Sequence, residues 1–467
     1  MPFTDYRFLV FLLPAATGGF WLARRYASDA AAQAWLLIAS AVFCAWTSPT
    51  SLAVLAVSAL FHYRLSRTLA AAEGARRRAI LILGLVAGVS ALVVFKCVRT
   101  PLGLPLGISF YTFVQIYYLL DVYRREAEPP SLRDYLLLVG FFPKFVAGPI
   151  VRPADSLPLP APHRISRQAV ALGLALFLMG FAKKLLADSC ASWVDPVFAA
   201  ISKSEAVSPA AAWIAVLAYS FQIYFDFSGY SDMAIGLGRL FGWNIPVNFN
   251  SPYKASGMIE FWRRWHITLT GFLTENVYFR LPGQRKGALY QHRNLFLTMV
   301  LCGFWHGAGW TFGLWGAFHG ICLIVNHIWR AVRRKRGWTG HAPALARILT
   351  WACIAAGWVL FRAPSLGSAE RMLPVMLGFG DPATLWTGTA LAQVALQLAA
   401  LGLLACAGPN TQEIVERSKD RIAAFADRVA ALHPAWVFPG LATLWLVGVM
   451  LFLTQQNAHS PFIYAIF

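Results

Sequence analysis

The stretch RRRAILILGLVAGVSALVVFKC, residues 76–97, decides the class of the molecule. Three arginines abut a run that carries no charge from Ala79 to Phe95. As a helix over 79–97 it would be roughly 28 Å long, close to the thickness of a bilayer's hydrocarbon core. Working outward, apolar segments recur at 7–23, 31–48, 50–63, 104–123, 168–187, 208–226, 293–307, 310–329, 344–362, 388–407 and 436–455. The composition agrees: 58% of the 467 residues are hydrophobic and 13% are charged, where soluble chains carry about a quarter. The sequence predicts an all-α polytopic protein in a lipid bilayer, with about 11–12 transmembrane helices.

The net charge of +19 raises the question of nucleic acid. Its distribution answers it. The cations sit in short clusters between apolar runs: Arg24-Arg25, Arg64 to Arg78, Arg124-Arg125, and Arg333-Arg334-Lys335-Arg336. Cytoplasmic loops collect Lys and Arg in this way, so the charge reports orientation and no nucleic-acid partner is expected. The resulting alternation predicts that both termini lie outside. The apolar run Phe8–Leu22 is followed, not preceded, by Arg24-Arg25 and reads as a retained first helix rather than a signal peptide. The seven cysteines form no C-x-x-C pair and no zinc pattern.

Two segments depart from simple spans. LLLVGFFPKFVAGPIVRP (136–153) is broken by Pro143, Gly148, Pro149 and Pro153. Such backbone is tolerated at membrane depth only inside protein or around water, so a re-entrant or surface-lying segment is expected. TQEIVERSKDRIAAFADRVAALH (411–433) reads as an amphipathic surface helix. No internal repeat is visible, which disfavours a secondary transporter.

The chemistry concentrates between Ala218 and Gly320. YSFQIYFDFSGYSDMAIGLGRLFGW (219–243) sets Asp226 and Asp232 among aromatics and glycines. Intramembrane carboxylates are functional by default, though these could equally bond backbone amides or Arg239. In EFWRRWH (260–266), helical spacing places Trp262, Trp265, His266 and Leu269 on one face, with Arg263 and Arg264 splayed elsewhere. The two arginines suit lipid phosphates or the phosphates of a nucleotide-like cofactor. In GFWHGAGWTFGLWGAFHG (303–320), thirteen residues separate His306 from His319 and Gly307/Gly309 interrupt the helix, so a metal site shared by both is disfavoured. His306 follows Trp305 and is followed by small residues that would let a ligand approach the backbone. So dry a setting disfavours the charged imidazole, which suits a general base.

Six blocks in order, LPLGISFYTFVQIYYLLDVYRR (104–125), FPKFVAGPIVRP (142–153), YSFQIYFDFSGYSDMAIGLG (219–238), NFNSPY (248–253), EFWRRWHITLT (260–270) and GFWHGAGWTFGLWGAFHG (303–320), resemble the membrane-bound O-acyltransferase family, and within it the bacterial alginate O-acetyltransferase branch. The terminal PFIYAIF (461–467) also looks like that branch. The resemblance implies one integrated domain, with N-terminal membrane helices (1–103), a catalytic core (104–330) and C-terminal membrane helices (331–467), arranged around a tunnel. It implies that His306 of the W-H-G motif is catalytic and that His266 is its companion, polarising or positioning the donor. His319 lines the tunnel or packs helices. Donor- or substrate-side roles extend by the same motifs to Arg263, Arg264, Asp226, Trp305, Trp265 and Asn250. The resemblance further implies acetyl-CoA as donor substrate, no bound cofactor or metal, and a separate periplasmic acetyltransferase partner that serves a polysaccharide. The expected site is the bacterial inner membrane. The runner-up reading is a transporter or flippase that moves a glycan precursor without acyl chemistry.

Overall fold

The computed structural model describes residues 3–98, 100–156, 165–338, 342–380, 389–432 and 448, and every regular element among them is helical. Among the described residues, seven helices are long and apolar enough to cross a membrane: Asp29–Thr47, Gly74–Cys97, Arg167–Ser202, Pro209–Leu240, Trp310–Lys335, Pro343–Arg362 and Thr389–Cys406. Several of the remaining expected spans are helical but short or split. The first enters through a π-helical turn, Phe8–Leu12, before Leu13–Tyr26, and Ile108–Arg124 has 17 residues. The span expected at 436–455 falls outside the described residues.

The chain forms two compact units, taken in turn. The first comprises residues 1–182, 229–247 and 411–466. Its N-terminal helices are punctuated by serine caps: Ser28 Oγ accepts from the Ala31 amide at 3.1 Å, and Ser48 Oγ from the Ser51 amide at 3.2 Å, with Pro49 at the first helical position. Arg77, one of the cations that mark orientation, is buried and also ties the loops. It donates to the Leu69, Ala72 and Val122 carbonyls at 3.1, 3.2 and 2.8 Å. The proline-broken segment becomes three short helices, Leu132–Gly140, Phe142–Phe145 and Pro153–Ser156. Its residues Phe141 to Phe145 are buried, and Lys144 is held by the Leu138 carbonyl and the Trp243 ring. Irregular backbone thus sits within protein, as its polar groups require.

Two helices of this unit meet antiparallel at matched glycines. A methyl group at Gly173 would lie 2.7 Å from the Gly236 carbonyl oxygen, and one at Gly180 would lie 2.5 Å from that of Gly229. Such backbone-to-backbone contact is how helices associate where lipid is as apolar as leucine. The expected amphipathic helix is Thr411–Leu432. Its first residue donates from Oγ1 to Asp232 Oδ2 at 2.7 Å, giving that buried carboxylate a partner.

The second unit comprises residues 183–228 and 248–410, with Phe467. Beyond the expected spans it contains two helices that periodicity does not single out, Ala191–Ser202 and Leu366–Met376. Its core is aromatic: Trp265, Trp315, Trp358 and Tyr253 are each at most 2% exposed. Tyr253 anchors it by donating to the Ser220 carbonyl at 2.5 Å and accepting from Trp358 Nε1 at 3.1 Å.

Candidate active site

The helix Met258–Arg264 stops where periodicity predicts that it should continue. Trp265 is extended, and His266 adopts φ 44°, ψ 54° as it caps the next helix, Ile267–Asn276. The expected single helical face through 262, 265, 266 and 269 is therefore replaced by a break, although all four side chains remain buried. A left-handed residue other than glycine costs roughly 1–2 kcal/mol. Hydrogen bonds from the preceding loop offset it. The Ile267 amide donates to the Asn248 carbonyl at 2.9 Å, and the Asn250 amide donates to the Arg264 carbonyl at 2.9 Å.

Asn248 also sets the chemistry of His266. The Thr268 amide and hydroxyl donate to Asn248 Oδ1 at 3.3 and 2.9 Å, and His266 Nδ1 lies 3.1 Å from the same atom. A backbone N–H can only donate, so this end of the amide is the oxygen, and His266 Nδ1 must carry its hydrogen. The neutral ring then presents a lone pair at Nε2. His266 lies between the candidate spans, and complete burial holds its imidazole far below the usual value, at about 3. It is a neutral acceptor at physiological pH. Asn248 is the residue that sequence reasoning missed: NFN offers two asparagines, and spacing alone does not say which one is buried.

His306 ends the helix Ala288–His306, and the three residues after it lead into Trp310–Lys335. The two helices pack with backbone touching backbone. Side chains at Gly303 and Gly316 would strike the Phe312 and Met299 carbonyls on the facing helix. His306 is 3% exposed and ringed by aromatics: Trp315 and Phe361 both at 5.1 Å edge-on, and its own neighbour Trp305 at 4.7 Å between centroids. Trp305 also lies 6.2 Å from the ring of His266, so the two imidazoles flank one indole.

His319 is placed apart from that pair. It is fully buried, and neither ring nitrogen has a hydrogen-bond partner among the described residues. Trp262 meets it edge-on at 5.4 Å, Trp315 lies at 4.9 Å, and its Nε2 backs onto Gly357. Trp315 thus separates His306 from His319. Among the described residues, no three His, Cys, Asp or Glu side chains cluster as metal ligands.

The other nominated residues divide by partner. Arg264 donates from Nε to Glu260 at 3.1 Å and from Nη1 to the Asn250 carbonyl at 3.1 Å. Asn250 Oδ1 accepts from Asn410 at 3.0 Å, so both side chains serve the clasp around the break. Arg263 is exposed and makes neither hydrogen bond nor ion pair among the described residues. Trp265 packs between Phe249 and Trp358, both at 5.0 Å. Asp226 is ion-paired at 2.8 Å with Lys184, which also meets Asp188 at 2.7 Å, while its neighbour Phe227 stands 4.7 Å edge-on to His266. The structure therefore places Asp226 one residue from the wall of the site, in a buried triad whose cation lies 42 residues upstream.

Comparison with known proteins identifies the family. The family model for membrane-bound O-acyltransferases matches residues 79–363, which hold His266, His306 and Asn248. A family of unknown function matches residues 433–467. A peptidoglycan O-acetyltransferase of Helicobacter pylori is 38% identical over 79% of this chain and 79% of its own length. A probable alginate O-acetylase AlgI of Pseudomonas aeruginosa is 38% identical over 81% of this chain and 75% of its own, and one of Azotobacter vinelandii is 35% identical over 99% of both. With only helical regular elements and seven candidate spans among its described residues, the chain belongs to the membrane-bound O-acyltransferase family.

Proposed function

We propose that the chain takes an acetyl group from acetyl-CoA on the cytoplasmic side of the bacterial inner membrane and passes it to an acceptor hydroxyl for O-acetylation of an extracytoplasmic glycan. The observation that carries the reading is the pair of buried imidazoles flanking Trp305 within the family-matching segment. The relatives named for peptidoglycan and alginate acetylation support acetyl as the group moved and a polysaccharide as its destination. A separate acetyltransferase partner outside the membrane would complete the delivery.

In this reading His306 takes the acceptor's proton as the oxygen attacks the thioester carbonyl. The carbon–sulfur bond breaks, the imidazolium returns the proton to the leaving thiolate, and the base is restored. A positioned general base is worth about 10²–10⁴ in rate. His266 takes a different part from the one its motif suggests. Polarising a carbonyl needs a donor, whereas its Nε2 offers a lone pair, so it suits positioning a substrate by accepting a hydrogen bond from a donor other than the reacting hydroxyl. Trp305 and Trp265 supply apolar walls, and Arg263 is the cation left for the donor side.

The test is His306→Ala in a strain lacking the native copy. We expect wild-type amounts of protein in the membrane, glycan acetylation abolished, and a loss of about 10²-fold or more in transfer from acetyl-CoA by the purified protein. Unchanged acetylation by that variant would overturn the role of His306.

A further inference from the structure

Between Glu275 and Glu370 the chain has no acidic residue at all. That stretch includes the helix Trp310–Lys335, whose last turn carries Arg333, Arg334 and Lys335. Residues 327, 330 and 334 share one helical face by i, i+3, i+7 spacing, and the side chains open onto a cleft of about 580 Å³. His327, Arg330, Arg333, Arg334 and Trp338 line it. Two further cationic or basic groups approach from other elements: the His292 ring stands 6.5 Å from that of His327, and Arg263 is near enough to act on it electrostatically.

A helix C-terminus attracts cations, but its dipole amounts to only about half a charge. Arg333 illustrates that ordinary use, donating to the Trp338 carbonyl at 3.4 Å. Arg263, Arg330 and Arg334 have no hydrogen bond or ion pair among the described residues. The local sequence offers no carboxylate to match them. Trp329 and Trp338, about half exposed and 5.9 Å apart, place amphipathic rings at the same end of a candidate span.

We propose that this cleft is a binding site for a phosphate group, held by Arg330 and Arg334. Guanidinium forks match phosphate oxygens in pairs, which a scattered lysine surface would not do. The phosphate is carried either by an anionic lipid headgroup at the membrane surface or by a soluble nucleotide. Both present the same oxygens to the same arginines.

The experiment uses the full chain in phosphatidylcholine nanodiscs, titrated calorimetrically with adenosine 3′,5′-bisphosphate. In parallel, nanodiscs containing phosphatidylglycerol are examined by native mass spectrometry for retained lipid. The variant is Arg330→Gln with Arg334→Gln. Arg347→Gln, in the same acid-free stretch but outside the cleft, controls for general charge. Loss of nucleotide affinity by tenfold or more in the double variant alone supports the site and names a soluble phosphate. Loss of retained phosphatidylglycerol in that variant alone supports it and names the lipid. Equal binding by wild type and double variant, equal weakening by Arg347→Gln, or no binding of either probe overturns it. Arg330→Lys with Arg334→Lys, expected to keep the charge and only part of the affinity, guards against misfolding. The inference does not rest on acetyl transfer: His306→Ala, which removes the proposed base, is expected to bind the phosphate as the wild type does.

Discussion

The two histidines of the site are held by opposite means. His266 is fixed by polarity: a left-handed backbone and one asparagine oxygen set both its direction and its tautomer. His306 is fixed by shape, wedged among Trp305, Trp315 and Phe361 at the end of a helix whose backbone touches its neighbour. Under the proposed reaction, a ring that only accepts a hydrogen bond is oriented here through one nitrogen. The ring proposed to accept and return a proton is oriented by packing on its faces.

The comparison is broken most forcefully at Trp315, which supports His306 and His319 at once. Trp315→Ala should destabilise the protein by about 3–5 kcal/mol through the cavity it leaves, read as a lowered Tm in detergent; a Tm unchanged from wild type would show that the ring is not a packing keystone. Asn248→Ala attacks the other mode. It orphans the Thr268 amide and the His266 Nδ1 hydrogen, at about 1–3 kcal/mol, and activity should fall about 10- to 100-fold while membrane levels hold. If kcat/KM stays at the wild-type value, His266 needs no orientation.

The third test uses pH. The folded protein holds His266 neutral down to about 3, whereas an unfolded imidazole titrates near 6.5. Between those values the unfolded state binds the extra proton, so this group's contribution is intact above pH 6.5 and lost as pH falls, at about 1.4 kcal/mol per unit. Unfolding midpoints measured from pH 7 down to 5 should fall, and His266→Asn, which tolerates the left-handed backbone, should flatten that fall; parallel curves would assign it to other groups. The smallest effect belongs to Arg264→Gln. Its pair with Glu260 is 30% exposed on both sides, so stability should move by less than about 1 kcal/mol.

The spans were legible because length and apolarity are local. Residues 344–362 and 388–407 match Pro343–Arg362 and Thr389–Cys406 to within a residue at each end. The break at His266 was not legible. RRWHIT contains no glycine or proline, and helical periodicity runs through it undisturbed. What stops the helix is a loop that folds back from Asn248 and Asn250, a tertiary cause without a local signature. The same holds for Asp226. Sequence proximity offered Arg239, but the partner is Lys184 on another helix. What distinguishes Arg264 from Arg263 is Glu260, one turn earlier, a pairing that i, i+4 spacing carries in the sequence.

The glycine contact at Gly303 and Gly316 has a bearing on where His306 sits. With no side chains between them at those points, each helix lays a carbonyl against the other's glycine. His306 ends the first of these helices, so a side chain introduced at Gly303 or Gly316 would push the two backbones apart and shift the imidazole with them.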